Sequence, residues 1–366
     1  MKILIYNDWK TLMGGTERYI HNLIPFLSQY HEVHFVSAED ILPINRLSHY
    51  QRKFSLWKKN ETLIQYLKVE IETFQPDLIH INNVYYYFRS LFIAIRSSNV
   101  PICLTLHDSQ YLNLPNDTSW QYLLKKIKRS ILNDVVQSFF APSKLIFQMA
   151  NNQFFKDVHY LPHFIDSKKW PCQNQEHNNA LNLLYLGNID KKKGVFFLLD
   201  VLQQMLENNF DINITFVGKG KDEQELAQEI ISKKLTDKVK IFGHQNDNII
   251  QQFFSNHFAL VLPSLCIESF GLAGLEAQAS GLPVIVSNLG GITEWAVEKE
   301  TAILAHSNDI KDWCDKIELL WLDKQLYNHI RSEAMKRVHR DFQPQTHCDN
   351  LITCYNRMSR FHKLTS

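Results

Sequence analysis

Ten short apolar runs alternate with helix-like stretches along most of the chain, and this alternation constrains the fold more than any other feature. The runs read KILIY, EVHFVS, DLIHIN, ICLTLH and SFFAPS, then LNLLYLG, ITFVGKG, VKIFG, FALVLPS and LPVIVS. A strand covered on both faces is apolar throughout rather than at alternate positions, the mark of a parallel sheet flanked by helices. The expected fold class is therefore α/β, doubly wound. After the fifth run the polar, aperiodic segment PCQNQEHNNA (171–180) interrupts the series, and a fresh strand follows directly. That segment reads as an interdomain linker. A chain of 366 residues with 45% hydrophobic content can build a separate core in each of two domains.

Charge and cysteine content narrow the function classes. The 39 Lys and Arg nearly balance 38 Asp and Glu, so nothing in the overall charge calls for nucleic acid as a partner. Cys103, Cys172, Cys266, Cys314, Cys348 and Cys354 are scattered without a CxxC pair, which suits free thiols in a reducing compartment. The opening MKILIYNDW has no basic segment leading into a long apolar one, and no run approaches the roughly 18 apolar residues of a spanning helix. The expectation is a cytoplasmic protein, neither exported nor integral to a membrane.

In open parallel sheets ligands bind beyond the carboxyl ends of the strands, so the strand-to-helix junctions should carry the chemistry. The first run leads into NDWKTLMGGTERYIHNLI. There Gly14 and Gly15 let the backbone approach a ligand, and the helix that follows offers N–H groups to an anion. A tight turn with a helix cap accounts for the same residues. ICLTL runs into His107 and Asp108, placing an imidazole at a strand end. YLGNIDKKKG ends a strand at Gly187 and opens a helix at Lys193-Gly194, where a lysine beside a helix N-terminus can neutralise phosphate without a metal. Three consecutive lysines also fit a solvated loop. VGKG (217–220) holds only part of a GxGxxG fingerprint, which argues against dinucleotide binding of the dehydrogenase kind. With no P-loop, HExxH or DxD sequence, neither metal nor cofactor is expected.

Residues 268–276 read ESFGLAGLE. The part LAGLEAQA has strong helix propensity, which places Glu268 in a loop and Glu276 about two turns inside a helix. A loop carboxylate can accept bonds from sugar hydroxyls, and one within the helix can take both hydroxyls of a ribose. The N–H groups of Phe270, Gly271 and Leu272 between them suit a diphosphate. A surface glutamate followed by a capping glutamate explains the spacing equally well.

The ordered motifs GGTER, LTLHDS, APSKLI, LPHFID, YLGNIDKKKG, FVGKG, IFGH and ESFGLAGLEAQASGLPVIVSNLGG resemble glycosyltransferase family 4, the retaining, sugar-nucleotide-dependent transferases of GT-B fold. The match covers nearly the whole chain. It implies two Rossmann-like domains facing each other across a cleft, 1–168 for the acceptor and 169–345 for the nucleotide-sugar donor, with the C-terminal helix 346–366 packing back on the first. By this similarity the glutamate pair is the family's E-x7-E motif. Glu268 then contacts the donor sugar, Glu276 the ribose, Lys193 the pyrophosphate, Gly15 beside Gly14 the phosphates, and His107 the donor sugar. Ser269 to Leu272 cradle the diphosphate, and Phe242, Gly243, His244 and Gln245 fall where the family holds the base. The implied catalytic residues are His107, Glu268 and Lys193. Asn188 departs from the family, which commonly has Arg there; Asn keeps a donor and loses the charge. A sugar-nucleotide epimerase and a degenerate, sugar-nucleotide-binding subunit are the alternative functions.

For the acceptor, the first 165 residues hold 17 Lys and Arg against 13 Asp and Glu. WQYLLKKIKRSILNDVV (120–136) sets Lys125, Lys126, Lys128 and Arg129 beside a series of apolar residues, as in a basic amphipathic helix on an anionic bilayer. A helix packed on its own sheet gives a similar pattern. RKFSLWKK (52–59) adds a second basic and aromatic segment, and Tyr85, Tyr86, Tyr87 and Phe88 fit an acceptor groove or a core. The expected acceptor is a lipid-linked glycan, a lipopolysaccharide or another surface-polysaccharide precursor, met at the inner face of the plasma membrane.

Overall fold

The structure, a computed structural model, describes residues 1–12, 14–42, 57–172 and 181–365, with side chains to residue 360. Most of the linker segment, and Arg52 to Leu56 of the basic-aromatic segment, lie outside the described residues. The chain divides into two compact units, Met1–His163 with Pro344–Ser366, and Phe164–Gln343. All ten apolar runs form strands, and every pairing is parallel.

In the first unit the order is β1 (Lys2–Asn7), α1 (Gly15–Leu27), β2 (Glu32–Ser37), α2 (Glu61–Phe74), β3 (Leu78–Ile81), α3 (Phe88–Arg96) and β4 (Ile102–Thr105). It continues with α4 (Ser119–Val135), β5 (Ser138–Ala141), α5 (Lys144–Asn152) and β6 (Val158–Tyr160). The sheet runs β2-β1-β3-β4-β5-β6. Strands β3, β4 and β5 are buried at every residue, as the unbroken apolar runs require. Helix caps repeat one chemistry: Asn60, Thr118 and Ser143 each accept an N–H from the first turn of α2, α4 and α5.

The second unit contains β7 (Leu181–Leu186), α6 (Val195–Glu207), β8 (Ile212–Val217), α7 (Glu223–Ser232), β9 (Val239–Phe242) and α8 (Asp247–Asn256). Strand β10 (Ala259–Leu262), α9 (Leu272–Ala279), β11 (Val284–Ser287), β12 (Ile303–Ala305), α10 (Ile310–Leu322) and α11 (Lys324–Asp341) complete it. Its sheet runs β12-β11-β10-β7-β8-β9. The chain leaves β7 towards β8 on one side and leaves β10 towards β11 on the other, so the connections diverge between β7 and β10. That is the position at which open α/β sheets form a crevice.

The final helix, α12 (Pro344–Thr365), belongs to the first unit. Its Tyr355 shares a hydrogen bond of 2.6 Å with His80 Nδ1, and its His347 Nδ1–H donates to the Pro162 carbonyl at 2.8 Å. No helix among the described residues is long and apolar enough to cross a membrane.

Two glycines set the approach of loops at the strand ends of the second unit. Gly194 has φ +75°, and a Cβ there would lie 1.9 Å from the Pro263 carbonyl oxygen of the loop after β10. A Cβ on Gly290 would lie 2.5 Å from the Glu268 carbonyl oxygen. Both clashes are with backbone, which cannot rotate aside. Gly194→Ala should therefore destabilise the second unit by about 2 kcal/mol or more, read as a lowered urea midpoint. An unchanged midpoint would show that the two loops are not held against each other.

Candidate active site

The divergence of β7 and β10 brings the sequence-derived pair together. Lys193 ends the loop after β7, and Glu268 lies in the loop after β10. The Lys193 Nζ donates to Glu268 Oε1 at 2.6 Å, and the Ser264 hydroxyl donates to the same oxygen, also at 2.6 Å. The two loops are tied by the Leu265 N–H, which donates to the Lys192 carbonyl at 2.8 Å, and the Gly291 N–H of the loop after β11 donates to the Glu268 carbonyl at 2.6 Å. Burial by itself would lower the pKa of the Lys193 ammonium, but the charge and hydrogen bond of Glu268 outweigh it and the net shift is upward. The pair is half-buried, with 30% of the lysine side chain and 16% of the glutamate side chain exposed.

Helix α9 begins beside this pair. Gly271 at its N-cap is left-handed, with φ +83°, so the helix starts at Leu272. Glu276 therefore lies one turn into the helix rather than two, and it is buried at 1% exposure. The first turn leaves N–H groups without intrahelical acceptors. Phe270 and Leu272 bury their side chains, and the Phe270 carbonyl accepts the Trp295 Nε1–H at 2.7 Å. Ser269 is partly buried. Asn188 is exposed after β7, and its carbonyl accepts the Tyr185 hydroxyl at 2.7 Å. Phe242, Gly243, His244 and Gln245 leave the end of β9, two strands from β7, with Phe242 38% exposed and packed on Phe253.

In the first unit, Gly14 caps α1, and a Cβ added at Gly15 would meet no atom within 4 Å. Internal packing therefore sets no requirement for glycine at 15. His107 follows β4 and is 6% exposed. Its Nε2 is 2.8 Å from Asn82 Oδ1, and its Nδ1 is 3.2 Å from His163 Nε2. Burial, helped by His80 and His347, holds its pKa well below the usual histidine range, so the ring is neutral. Tyr19 packs against His107, His163 and His347. Because the Pro162 carbonyl can only accept, His347 carries its proton on Nδ1, and its Nε2 accepts the Tyr19 hydroxyl at 2.9 Å.

The basic helix α4 is corrected by the structure. Lys128 is 8% exposed and lies over the rings of Phe88 and Tyr111, 5.8 and 5.6 Å from their centroids. Burial lowers its pKa to about 8, against the attraction of Asp108 and Asp8. Asp8, also buried, is pushed up to about 8 by desolvation while it accepts the Tyr6 hydroxyl and the N–H groups of Tyr85 and Tyr86. Lys125 is bonded to Asp117 at 2.8 Å, and Arg129 donates to Gln153 at 3.0 Å over the Phe155 ring. Of the four predicted membrane-facing cations, Lys126 alone is exposed. Tyr86, Tyr87 and Phe88 are core residues; Tyr85, at 38% exposure, is the one member of that aromatic run at the surface. Among the described residues no three His, Cys, Asp or Glu side chains gather as a metal-ligand set.

Two family models match consecutive parts of the chain: "Glycosyltransferase Family 4" over residues 13–169 and "Glycosyl transferases group 1" over residues 166–337. The chain belongs to glycosyltransferase family 4. It is 24% identical to a glycogen synthase of Mycobacterium tuberculosis over 216 residues, 59% of this chain and 49% of that one. It is 26% identical to the capsular polysaccharide biosynthesis glycosyltransferase CapM of Staphylococcus aureus over 211 residues, 57% of this chain and 51% of that one. It thus spans about half the length of these two relatives. Among solved structures, Anabaena HepE in complex with UDP and glucose superposes with a TM-score of 0.77 over 97% of this chain and 99% of HepE, at 18% identity. The two parallel sheets are those of the GT-B fold.

In this family 4 glycosyltransferase, sequence reasoning missed Ser264, Asn82 and His163, the groups that orient Glu268 and His107. SLCIES shows a serine four residues before Glu268, a signal too common to single out; the Asn82 and His163 contacts span 25 and 56 residues of sequence. The buried histidines also set a pH dependence. His80 and His347 have pKa values lowered by burial to about 3 and about 4. The unfolded chain binds their protons below about pH 6.5, whereas the folded unit does not until pH 3 to 4. The contribution of the histidines should be full above pH 6.5 and decline on acidification, by up to about 2 kcal/mol per histidine between pH 6.5 and 5, whereas Asp8, whose folded pKa of about 8 lies above its unfolded value, adds stability over the same fall. Urea unfolding at pH 7.5 and 5.0 measures this, and His347→Gln should reduce the slope. A pH dependence identical in wild type and His347→Gln would mean that the cluster is solvated.

Proposed function

We propose that this chain transfers a sugar from a nucleoside-diphosphate sugar to an acceptor hydroxyl with retention of anomeric configuration. The observation that carries the reading is the pairing of Lys193 with Glu268 at the divergence of β7 and β10, beside the start of α9 and the buried Glu276. A diphosphate placed there would meet the Lys193 ammonium and the first-turn N–H groups of α9, fixed donors aimed at the charge that builds on the leaving group. Lys193 would exchange Glu268 for phosphate oxygen, leaving the Glu268 carboxylate to accept hydroxyls of the donor sugar. Glu276 would accept the ribose hydroxyls, and Phe242 to Gln245 would hold the base. In the first unit, Gly15 would admit phosphate without displacing any protein atom, and neutral His107 would contact the donor sugar by hydrogen bonding rather than as an acid. Same-face attack assisted by the departing phosphate is the proposed route, since no carboxylate is assigned as covalent nucleophile. HepE was solved with UDP, which makes UDP the first nucleotide to test.

We further propose a lipid-linked glycan, lipopolysaccharide or other surface-polysaccharide precursor as acceptor, in keeping with the named role of CapM. The protein would then be cytoplasmic and peripheral on the inner face of the plasma membrane. The proposed reaction needs no metal, the diphosphate charge falling on Lys193 and the α9 N–H groups. Transfer should persist in EDTA; loss of activity that Mg2+ or Mn2+ restores would refute metal independence.

The two glutamates should separate in their effects. Hydrogen bonds to a charged group contribute about 1.5 to 3 kcal/mol each, so Glu276→Gln or Glu276→Ala should weaken UDP binding at least about tenfold. Glu268→Ala should leave UDP affinity almost unchanged and lower turnover of the intact donor. Calorimetry with UDP beside transfer kinetics, on variants whose melting is checked, reads both. Equal loss of nucleotide affinity in the two variants would remove the division of roles.

A further inference from the structure

Between α3 and α4 of the first unit lies a groove of about 350 Å3 that takes no part in the proposed transfer chemistry. Its floor is apolar, formed by Trp57, Phe88, Phe92, Ile131 and Val135. One edge is the row Arg89, Ile93, Arg96, at i, i+4 and i+7 on α3. Both arginines are exposed, and neither forms an ion pair among the described residues. The other edge is α4, where Ile131 continues a line of apolar residues at i, i−4, i−7 and i−11: Ile127, Leu124 and Trp120. Ile127 is 40% and Trp120 66% exposed, with Leu123 at 46% alongside.

This face inverts the amphipathic pattern expected for α4. Lys125 and Lys128 turn inward to Asp117 and to the aromatic floor, and the apolar side chains are left in solvent. Exposed Trp and Leu in line with an apolar groove lose water-contacting surface only if something apolar covers them. The charged side chains that line the groove are Arg89 and Arg96, and no acidic side chain lines it among the described residues. A tryptophan at the edge, cations beyond it and an apolar channel between them match the layers of a bilayer interface: aromatic ring at the headgroup level, cations on phosphate, hydrocarbon inside.

We propose that the α3–α4 groove holds an acyl chain of an anionic membrane phospholipid, with Arg89 and Arg96 on its phosphate and the Trp120–Ile131 line of α4 seated in the interface. The proposal rests on the membrane-peripheral reading above and gives it a site. The occupant is a bilayer lipid rather than the acceptor: the groove lies along the helices, whereas His107 and Gly15 lie at the carboxyl ends of the strands.

The test uses the full chain with two kinds of vesicle, phosphatidylglycerol mixed equally with phosphatidylcholine, and phosphatidylcholine alone. Sedimentation should show at least about tenfold stronger partition onto the mixed vesicles. Arg89→Glu with Arg96→Glu should remove most of that gain, and Ile93→Asp, which places a charge in the groove edge, should weaken binding comparably. Melting temperature and UDP affinity should stay unchanged in the exposed arginine variants; Ile93, packed against the core, is read by vesicle binding at a temperature where the Ile93→Asp variant remains folded. In a Trp120→Phe background, vesicles with brominated acyl chains should quench part of the tryptophan fluorescence, and adding Trp57→Phe should abolish that part. Binding to neither vesicle would overturn both the membrane-peripheral reading and this site. Partition that survives the arginine and Ile93 variants, or that occurs without quenching of Trp57, would remove the groove and leave the membrane reading standing. Loss of UDP binding in otherwise folded wild-type protein would instead count against the transferase reading alone.

Discussion

The Lys193 ammonium and the Glu268 carboxylate meet because two neighbouring parallel strands send their connections in opposite directions. Parallel strands must be joined by crossovers, and these are right-handed. A crossover from β7 towards β8 and one from β10 towards β11 therefore carry their helices to opposite faces of the sheet. The loops that begin those crossovers face each other above the strand ends, and Gly194 lets their backbones close to contact, while Gly290 of the loop after β11 does the same against Glu268. A charged pair with opposite partners on two loops is then the natural filling for the gap. Glu268, α9 and Glu276 follow in one stretch of chain, so one topological feature arranges the whole candidate donor site of the second unit.

Much of this architecture is legible in the sequence, for a physical reason. Buried parallel strands carry continuous apolar runs, and all ten such runs became strands. The two strands that escaped notice, Val158–Tyr160 and Ile303–Ala305, are three-residue edge strands, too short to stand out and, for β6, partly solvated. The loop glutamate and the loop lysine were legible because strand ends in this fold class gather ligands, but their hydrogen bond to each other was not. Helix phase was legible and helix depth was not. The position of Glu276 shifted by a turn once Gly271 took a left-handed conformation, and Lys125 and Lys128 of α4 lie on its inner side while Lys126 does not. Periodicity states which residues share a face; it does not state which face a tertiary neighbour will cover.

Long-range pairing is the least legible level. Tyr19 to His347 spans 328 residues and His80 to Tyr355 spans 275, and these contacts lie within the buried cluster whose desolvation holds the histidines around His107 neutral. Each of these rings is a common residue at an unremarkable position in the sequence. Their burial together, under a helix supplied by the far end of the chain, converts groups that ordinarily titrate near neutrality into neutral hydrogen-bonding partners. His107 is thereby fixed as a neutral group, which limits the chemistry assigned to it.

Both units bury charge, and the difference between the two arrangements separates a structural pair from an exchangeable one. Lys128 is enclosed, stacked over two aromatic rings and balanced by Asp8 and Asp108, each of which holds further hydrogen bonds of its own. Extracting it would leave the fully buried Asp8 carboxylate without its nearby cation, a cost of a few kcal/mol. Lys193 and Glu268 are half-exposed, on separate loops, and Glu268 keeps the Ser264 hydroxyl if the lysine leaves. An anion arriving beside Lys193 replaces one oxygen partner by another, so the net cost of breaking the pair is small. A site that binds a diphosphate must hold its cation firmly enough to position it and loosely enough to release it to the ligand, and the partial exposure of this pair meets both demands.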